Sequence, residues 1–320
     1  MEGKLTTFQP IIAAIDLGSN SFHLVVATIK TGVLKVLVQK SSRVQLALNM
    51  PGGVVNSTAL LAAEQCLADF QAIIAEHNAE LVRVVGTAAL RQAENTQDII
   101  AAIGAQLNKK VEIIGGAEEA SLIYMSVAAQ AVDITGRLVI DVGGGSTELA
   151  INDGNGLRVC SLPFGCVSVL KMLMPDNKVS PASMKAAIDY CADVILQYRT
   201  QLEPLSQHTA IGCSGSLQAI AAVAARYGGA KDTIDYQPVA DACDVLLTDF
   251  EQIDDIKIAG LPEEREKLFS SGVAIVLALL QSLPIKGIEI SNAALREGLL
   301  VDYLFKQGQK PVKLCINQQD

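Results

Sequence analysis

RLVIDVGGGSTELAI, Arg137 to Ile151, sets three consecutive glycines between an aspartate at 141 and a glutamate at 148, with apolar, strand-like residues on both sides. A chain that gives up this much backbone entropy at one bend needs a reason. The pattern predicts a strand, a tight turn and a returning strand. Successive N–H groups in such a turn, with some positive φ angles, form a concave nest for phosphate oxygens, and glycine adopts those angles at little cost. Ser146 and Thr147 add hydroxyl donors. A plain hairpin turn also accounts for two glycines, but not for three flanked by Asp, Ser, Thr and Glu.

The same pattern occurs earlier in the chain. Ile15 to Leu24 read IDLGSNSFHL and Ile140 to Leu149 read IDVGGGSTEL, which aligns Asp16 with Asp141, Gly18 with Gly143, Ser21 with Ser146 and Leu24 with Leu149. Each copy opens its half of the molecule. Two equivalent hairpins indicate a duplicated domain whose turns face each other across a cleft.

Working outward, the first half runs through strand-like IIAAIDLG, FHLVVATI and VLKVLVQK. A helix follows from Ser57, read as its N-cap, to about Glu76. Next come strand LVRVVG, a helix after Thr87, strand VEIIG and a helix from Ala117. The pattern restarts near Arg137 and ends in a helix from about Ala294 and a polar tail. Hairpins followed by βα alternation predict two α/β domains on mixed sheets, 1–130 and 131–320.

Bulk properties narrow the function. The 320 residues carry a formal net charge of −9, half are hydrophobic and 18% are charged. General attraction to nucleic acid or to an anionic membrane is not expected. The longest apolar run, Val273 to Leu280, is too short to span a bilayer and reads as buried helix. The seven cysteines form no CxxC pair and follow no secretory signal, so reduced thiols and a cytoplasmic setting are expected. A homodimer is expected from the apolar look of the last helix.

Asp141 ends a buried strand, as does Asp16 in the first copy, and an unpaired charge there is costly. A magnesium ion or another divalent cation shared between Asp141, Glu148 and Asp16 and phosphate oxygens resolves that cost. In GGAEEASLIYMSV, Glu118 and Glu119 open a helix, where the dipole alone favours carboxylates; one of them can also serve as general base toward water. In VVGTAALRQ, Arg91 is either a solvated helix residue or an anion contact. Gly212, Ser214 and Gly215 of IGCSGS form another turn able to meet a phosphate or ribose. The three histidines lack ligand spacing, and neither a nucleophilic triad nor a Walker lysine is present.

DLGSNSFHLVVA, VGTAALRQA, GGAEEASLIYM, VIDVGGGSTELAI, PFGCVSV, GCSGS, GLPEERE and ALREG, in order from residue 16 to residue 298, together resemble the exopolyphosphatase and guanosine pentaphosphate phosphatase family. The resemblance implies two duplicated ribonuclease-H-like (actin-like ATPase) domains around a central cleft. It implies a magnesium-assisted phosphohydrolase acting on polyphosphate or guanosine pentaphosphate. Glu119 resembles the base that activates water, with Glu118 second. Asp141 and Glu148 resemble the acidic pair around the metal; Ser19, Asn20, Ser21, Arg91, Gly143, Gly144, Gly145, Ser146 and Thr147 resemble phosphate contacts. Longer members carry a further C-terminal helical region, and the likeness here is to a form without it. The segment after Arg43 lacks the acidic residue common in relatives. Other readings of the same loops are a small-molecule kinase and a non-catalytic sensor of guanosine tetraphosphate or pentaphosphate.

Overall fold

A computed structural model describes residues 10–30, 32–131, 133–203, 205, 208–308 and 313–316. The first half contains β1 (Ile11–Leu17), β2 (Ser21–Lys30), β3 (Val33–Arg43), α1 (Ser57–Glu76), β4 (Leu81–Gly86), α2 (Ala88–Gln92), α3 (Thr96–Leu107), β5 (Val111–Ile113) and α4 (Gly116–Gln130). The second contains β6 (Val139–Val142), β7 (Thr147–Asn152), β8 (Leu157–Leu162), α5 (Cys166–Leu173), α6 (Pro181–Tyr198), β9 (Ala210–Gly212), α7 (Gly215–Ala224) and β10 (Thr233–Ile234). It continues with α8 (Tyr236–Asp249), α9 (Glu266–Ser282), β11 (Ile288–Ile290), α10 (Leu295–Lys306) and β12 (Lys313–Cys315).

Two sheets result, ordered β12-β3-β2-β1-β4-β5 and β10-β11-β9-β6-β7-β8. In each, an antiparallel meander (β1-β2-β3 or β6-β7-β8) continues into parallel strands beside its first member. The duplication seen in sequence is therefore a duplication of topology. β1 sits between β2 and β4 and is apolar almost throughout, as a strand covered on both faces must be. β3, nearer the edge, alternates buried Leu34 and Val36 with exposed Lys35 and Leu37.

Helices α4 and α10 lie between the sheets. One core cluster joins Ile12, Ala14 and Val25 of the first sheet to Val139, Ala150 and Ile211 of the second through Leu122 and Ile123 of α4 and Leu299 and Leu300 of α10. α9 is buried almost throughout from Leu268 to Leu279, wrapped by α5, α6, α7 and α8, which accounts for its apolar run. Of the described helices, α1 alone is long and apolar enough to cross a membrane by length and composition; here it lays Ala59, Ala63, Cys66, Leu67 and Phe70 into the core of the first half.

Two expectations need correction. Asn56, not Ser57, caps α1: its side chain accepts from the Ala59 amide, and Ser57 is the first helical residue. The last helix and strand do not stay with the second half, because β12 pairs with β3 and α10 packs on α4 and β1. That packing buries Leu295, Leu299, Leu300, Val301 and Leu304, so the apolar face that suggested a dimer is covered within the chain.

Candidate functional site

Asp16 and Asp141 lie at the carboxyl ends of β1 and β6, the edge where open α/β sheets receive ligands. The two turns that follow meet. A Cβ placed on Gly144 would lie 2.8 Å from Ser19 Cβ, and one on Gly145 would lie 3.0 Å from Ala88 Cβ. The hairpins thus share one cavity of about 420 Å³.

The glycines are needed for close approach and not, as expected, for positive φ: none of Gly18, Gly143, Gly144 and Gly145 has a positive φ. Gly18 and Gly143 match in function as well as position, since a Cβ at either would strike the carbonyl oxygen of the serine three residues on, at 2.6 Å (Ser21) and 3.0 Å (Ser146).

Each turn is gripped from outside the cleft. Asn20 O accepts from the Val44 and Gln45 amides, and Ser19 O from Ala47. Gly143 O accepts from Cys166, and Gly144 O from Val167 and Ser168, the first turn of α5. The amides of Ser19, Asn20, Gly144 and Gly145 donate to no group among the described residues. They remain as donors for an anion.

Glu119, in the first turn of α4, lines the cavity. Arg91 Nη1 donates to Glu119 Oε2 at 2.8 Å and to the Ile114 carbonyl at 2.8 Å, while its Nη2 lies 3.5 Å from Ser146 Oγ. Burial raises the Glu119 carboxyl above its ordinary range, partly offset by Arg91. Glu118 is exposed and turns toward Arg83 at 3.8 Å, away from the cleft.

The acids crowd each other. Burial, then the Glu119 charge, pushes Asp141 up to about 7, against the pull of Arg265 and Arg296. Burial and the charges of Glu119 and Asp141 raise Asp16 well above the carboxylate range, and its Oδ1 is buried without a hydrogen-bond partner. Among the described residues no three acidic, imidazole or thiol side chains stand together as a ready-made metal site. Magnesium, however, is held by one or two carboxylates plus waters and substrate phosphates. Asp16 and Asp141, one buried oxygen orphaned, fit that demand.

Glu148, expected as a metal ligand, is buried opposite Asp141; its Oε1 accepts from Ser161 Oγ at 2.8 Å, and burial with the charges of Glu119 and Asp141 raises its carboxyl well above the usual range. Thr147, expected to meet phosphate, is fully buried and donates to the Phe164 carbonyl at 2.8 Å, bracing the hairpin. Gly212 also lies outside the cavity lining, at a site where a side chain would strike Ile288 and Leu217 at 2.7 Å. Ser214 caps α7, accepting from the Leu217 amide, and borders the cavity with Gly215. Ser19, Asn20, Ser21, Gly143 and Ser146 line it as expected, and Arg91 reaches its edge through Glu119 and Ser146.

Among the cavity residues not anticipated are two arginines and a histidine. The Arg265 guanidinium lies so close against Gly215 that a Cβ there would overlap it. His23 sits opposite Asp16 across β1 and β2, in the register place of Glu148, and burial and nearby arginines lower its imidazole to about 3. Arg296 Nη1 lies 3.5 Å from His23 Nδ1. GLPEERE and ALREG contain both arginines, but no local pattern directs them at hairpins more than a hundred residues away.

Comparison with known proteins follows the same geometry. The model of the Ppx/GppA phosphatase family matches residues 25–307. A guanosine-5'-triphosphate,3'-diphosphate pyrophosphatase of Photobacterium profundum is 33% identical over 307 residues, covering 95% of this chain and 61% of that protein. One of the same name from Aeromonas hydrophila is 34% identical over 303 residues, 92% of this chain and 60% of that one. The chain therefore spans about three-fifths of these relatives. Among solved structures, an exopolyphosphatase from Cytophaga hutchinsonii superposes with a TM-score of 0.80 at 26% identity, over 94% of this chain and 99% of that one. The Aquifex aeolicus PPX-GPPA enzyme gives 0.73 at 25%, over 92% and 100%.

Proposed function

Because this chain belongs to the Ppx/GppA phosphatase family, we propose that it is a phosphohydrolase. It releases the terminal phosphate of inorganic polyphosphate or the 5′ γ-phosphate of guanosine pentaphosphate, in a cytoplasmic setting. The observation that carries this reading is the contact between the two hairpin turns, with Glu119 at the cavity they share.

The turn amides and the Ser21 and Ser146 hydroxyls hold successive phosphates. Asp16 and Asp141 would hold a divalent cation, which supplies charge neutralisation for the phosphate oxygens. Glu119 takes a proton from a water aimed in line at the outermost phosphorus. Its raised pKa makes it a stronger base than an ordinary glutamate, and Arg91 fixes the direction in which its carboxylate faces. Positioning and electrostatics carry most of such a reaction.

The test is phosphate release in magnesium from short polyphosphate, long polyphosphate and guanosine pentaphosphate, measured side by side. Release from at least one is expected. ATP-dependent phosphorylation of an acceptor without release favours the kinase reading, and tight nucleotide binding without turnover favours a sensor.

A further inference from the structure

ALREG carries charged residues that the proposed chemistry leaves unused, and its three distinctive residues do three connected things. Arg296 lines the cavity beside His23. Gly298 lets α10 press onto α4, since a Cβ there would overlap the Leu122 carbonyl oxygen. Between them Glu297 is completely buried. A carboxylate with no exposed surface is costly unless several donors surround it.

The donors around Glu297 divide by oxygen. Oε2 accepts from the Ala294 amide at 2.9 Å, an ordinary way to close the start of a helix. Oε1 accepts from Arg296 Nε at 2.7 Å and from Gln39 Nε2, on β3 of the first sheet, at 2.8 Å. A helix cap needs the first oxygen only, and a polar side chain would serve it without a buried charge. The second oxygen holds the Nε edge of a guanidinium whose opposite edge faces the cavity. The charge of Arg296 bears on Asp16, Asp141 and His23 together.

We propose that Glu297 is a positioning residue: with Gln39 it fixes the Arg296 guanidinium beside the first hairpin, so that a phosphate entering the cleft meets a cation whose orientation is set in advance. The inference rests on the proposed phosphate-binding role of the cleft. Preorganisation lowers the ordering cost of binding, so its loss appears in affinity.

The experiment is a double-mutant cycle on Arg296→Met and Glu297→Gln, read as calorimetric Kd for tripolyphosphate and as KM and kcat for phosphate release in magnesium. Arg296→Met should weaken Kd about tenfold or more. Glu297→Gln should weaken it several-fold with kcat within about twofold, and the double variant should be no weaker than Arg296→Met alone. Additive losses, or a loss confined to kcat, overturn the proposal. If Glu297→Gln fails to fold, Gln39→Leu replaces it, with a smaller loss in the same direction that vanishes in the Arg296→Met background. A wild-type protein that binds tripolyphosphate but releases no phosphate defeats the hydrolase reading, and the Kd cycle still decides this one.

Discussion

The hairpins at residues 15–24 and 140–149 share a backbone and differ in their chemistry. Both put an aspartate at the strand end, a glycine against a serine carbonyl and free amides at the bend. Opposite the aspartate, the first carries His23, kept neutral by burial and nearby arginines, while the second carries Glu148, hydrogen-bonded to Ser161 and crowded by Glu119 and Asp141. The first is faced by Arg296, supplied by the last helix. The second is faced by Arg91, which also holds Glu119. Duplication preserved the backbone frame, and on the proposed function the side chains around it diverged into a binding half and a reacting half.

The largest predicted effect tests that division. Glu119→Gln should lower kcat by about a hundredfold or more with the fold retained, because the amide cannot take a proton from water. His23→Gln, on the other hairpin, should cost about tenfold or less, because only a cavity contact is lost. Glu118→Gln should stay near wild type. Comparable losses in the Glu119 and His23 variants would erase the distinction.

The shared frame gives the next contrast. Gly18→Ala drives a methyl to 2.6 Å from a backbone oxygen, and Gly143→Ala drives one to 3.0 Å. Overpacking of this kind costs about 1–3 kcal/mol, and Gly18→Ala should sit at the upper end in a denaturant titration. Equal costs would mean that the second hairpin is as tightly closed as the first.

The repeat was legible because Asp, Gly, Ser and Leu fall in register and because turns announce themselves locally. The reason for the glycines was not, since positive φ and close approach leave the same residue in the sequence. Nothing near Glu148 in sequence reveals its hydrogen bond to Ser161 on the next strand. Arg265 and Arg296 carry no local sign of their place in the cavity, because only packing of α9 and α10 brings them to hairpins formed far upstream. The return of α10 and β12 to the first sheet was hidden for the same reason: an apolar helix face does not say which sheet will cover it.

Acid crowding yields a linked pH prediction. Asp141 is raised to about 7 in the fold and Asp16 is raised as well, so from about pH 4 upward the folded chain binds more protons than the unfolded one. Stability in chelator should therefore fall as pH rises from about 4 through the Asp141 value of about 7. Magnesium should raise the melting temperature more at about pH 8 than at about pH 5, where protons already neutralise the acids. A magnesium shift independent of pH would remove the carboxylates of both hairpins from the metal.

The smallest effect concerns how the two hairpins keep their register. The first is gripped by residues 44–47 and the second by the start of α5, and Lys171 near the end of α5 joins the grips by donating from Nζ to the Ala47 carbonyl at 3.2 Å and the Met50 carbonyl at 3.4 Å. The ammonium is solvent-exposed, so the tie is worth less than about 1 kcal/mol. Lys171→Met should lower kcat/KM only about two- to threefold, and Lys171→Arg, which keeps the charge and the donors, should recover it. A loss that arginine does not recover would mean that each hairpin is set by its own grip alone, and that their contact through Gly144 and Ser19 suffices to hold them in register.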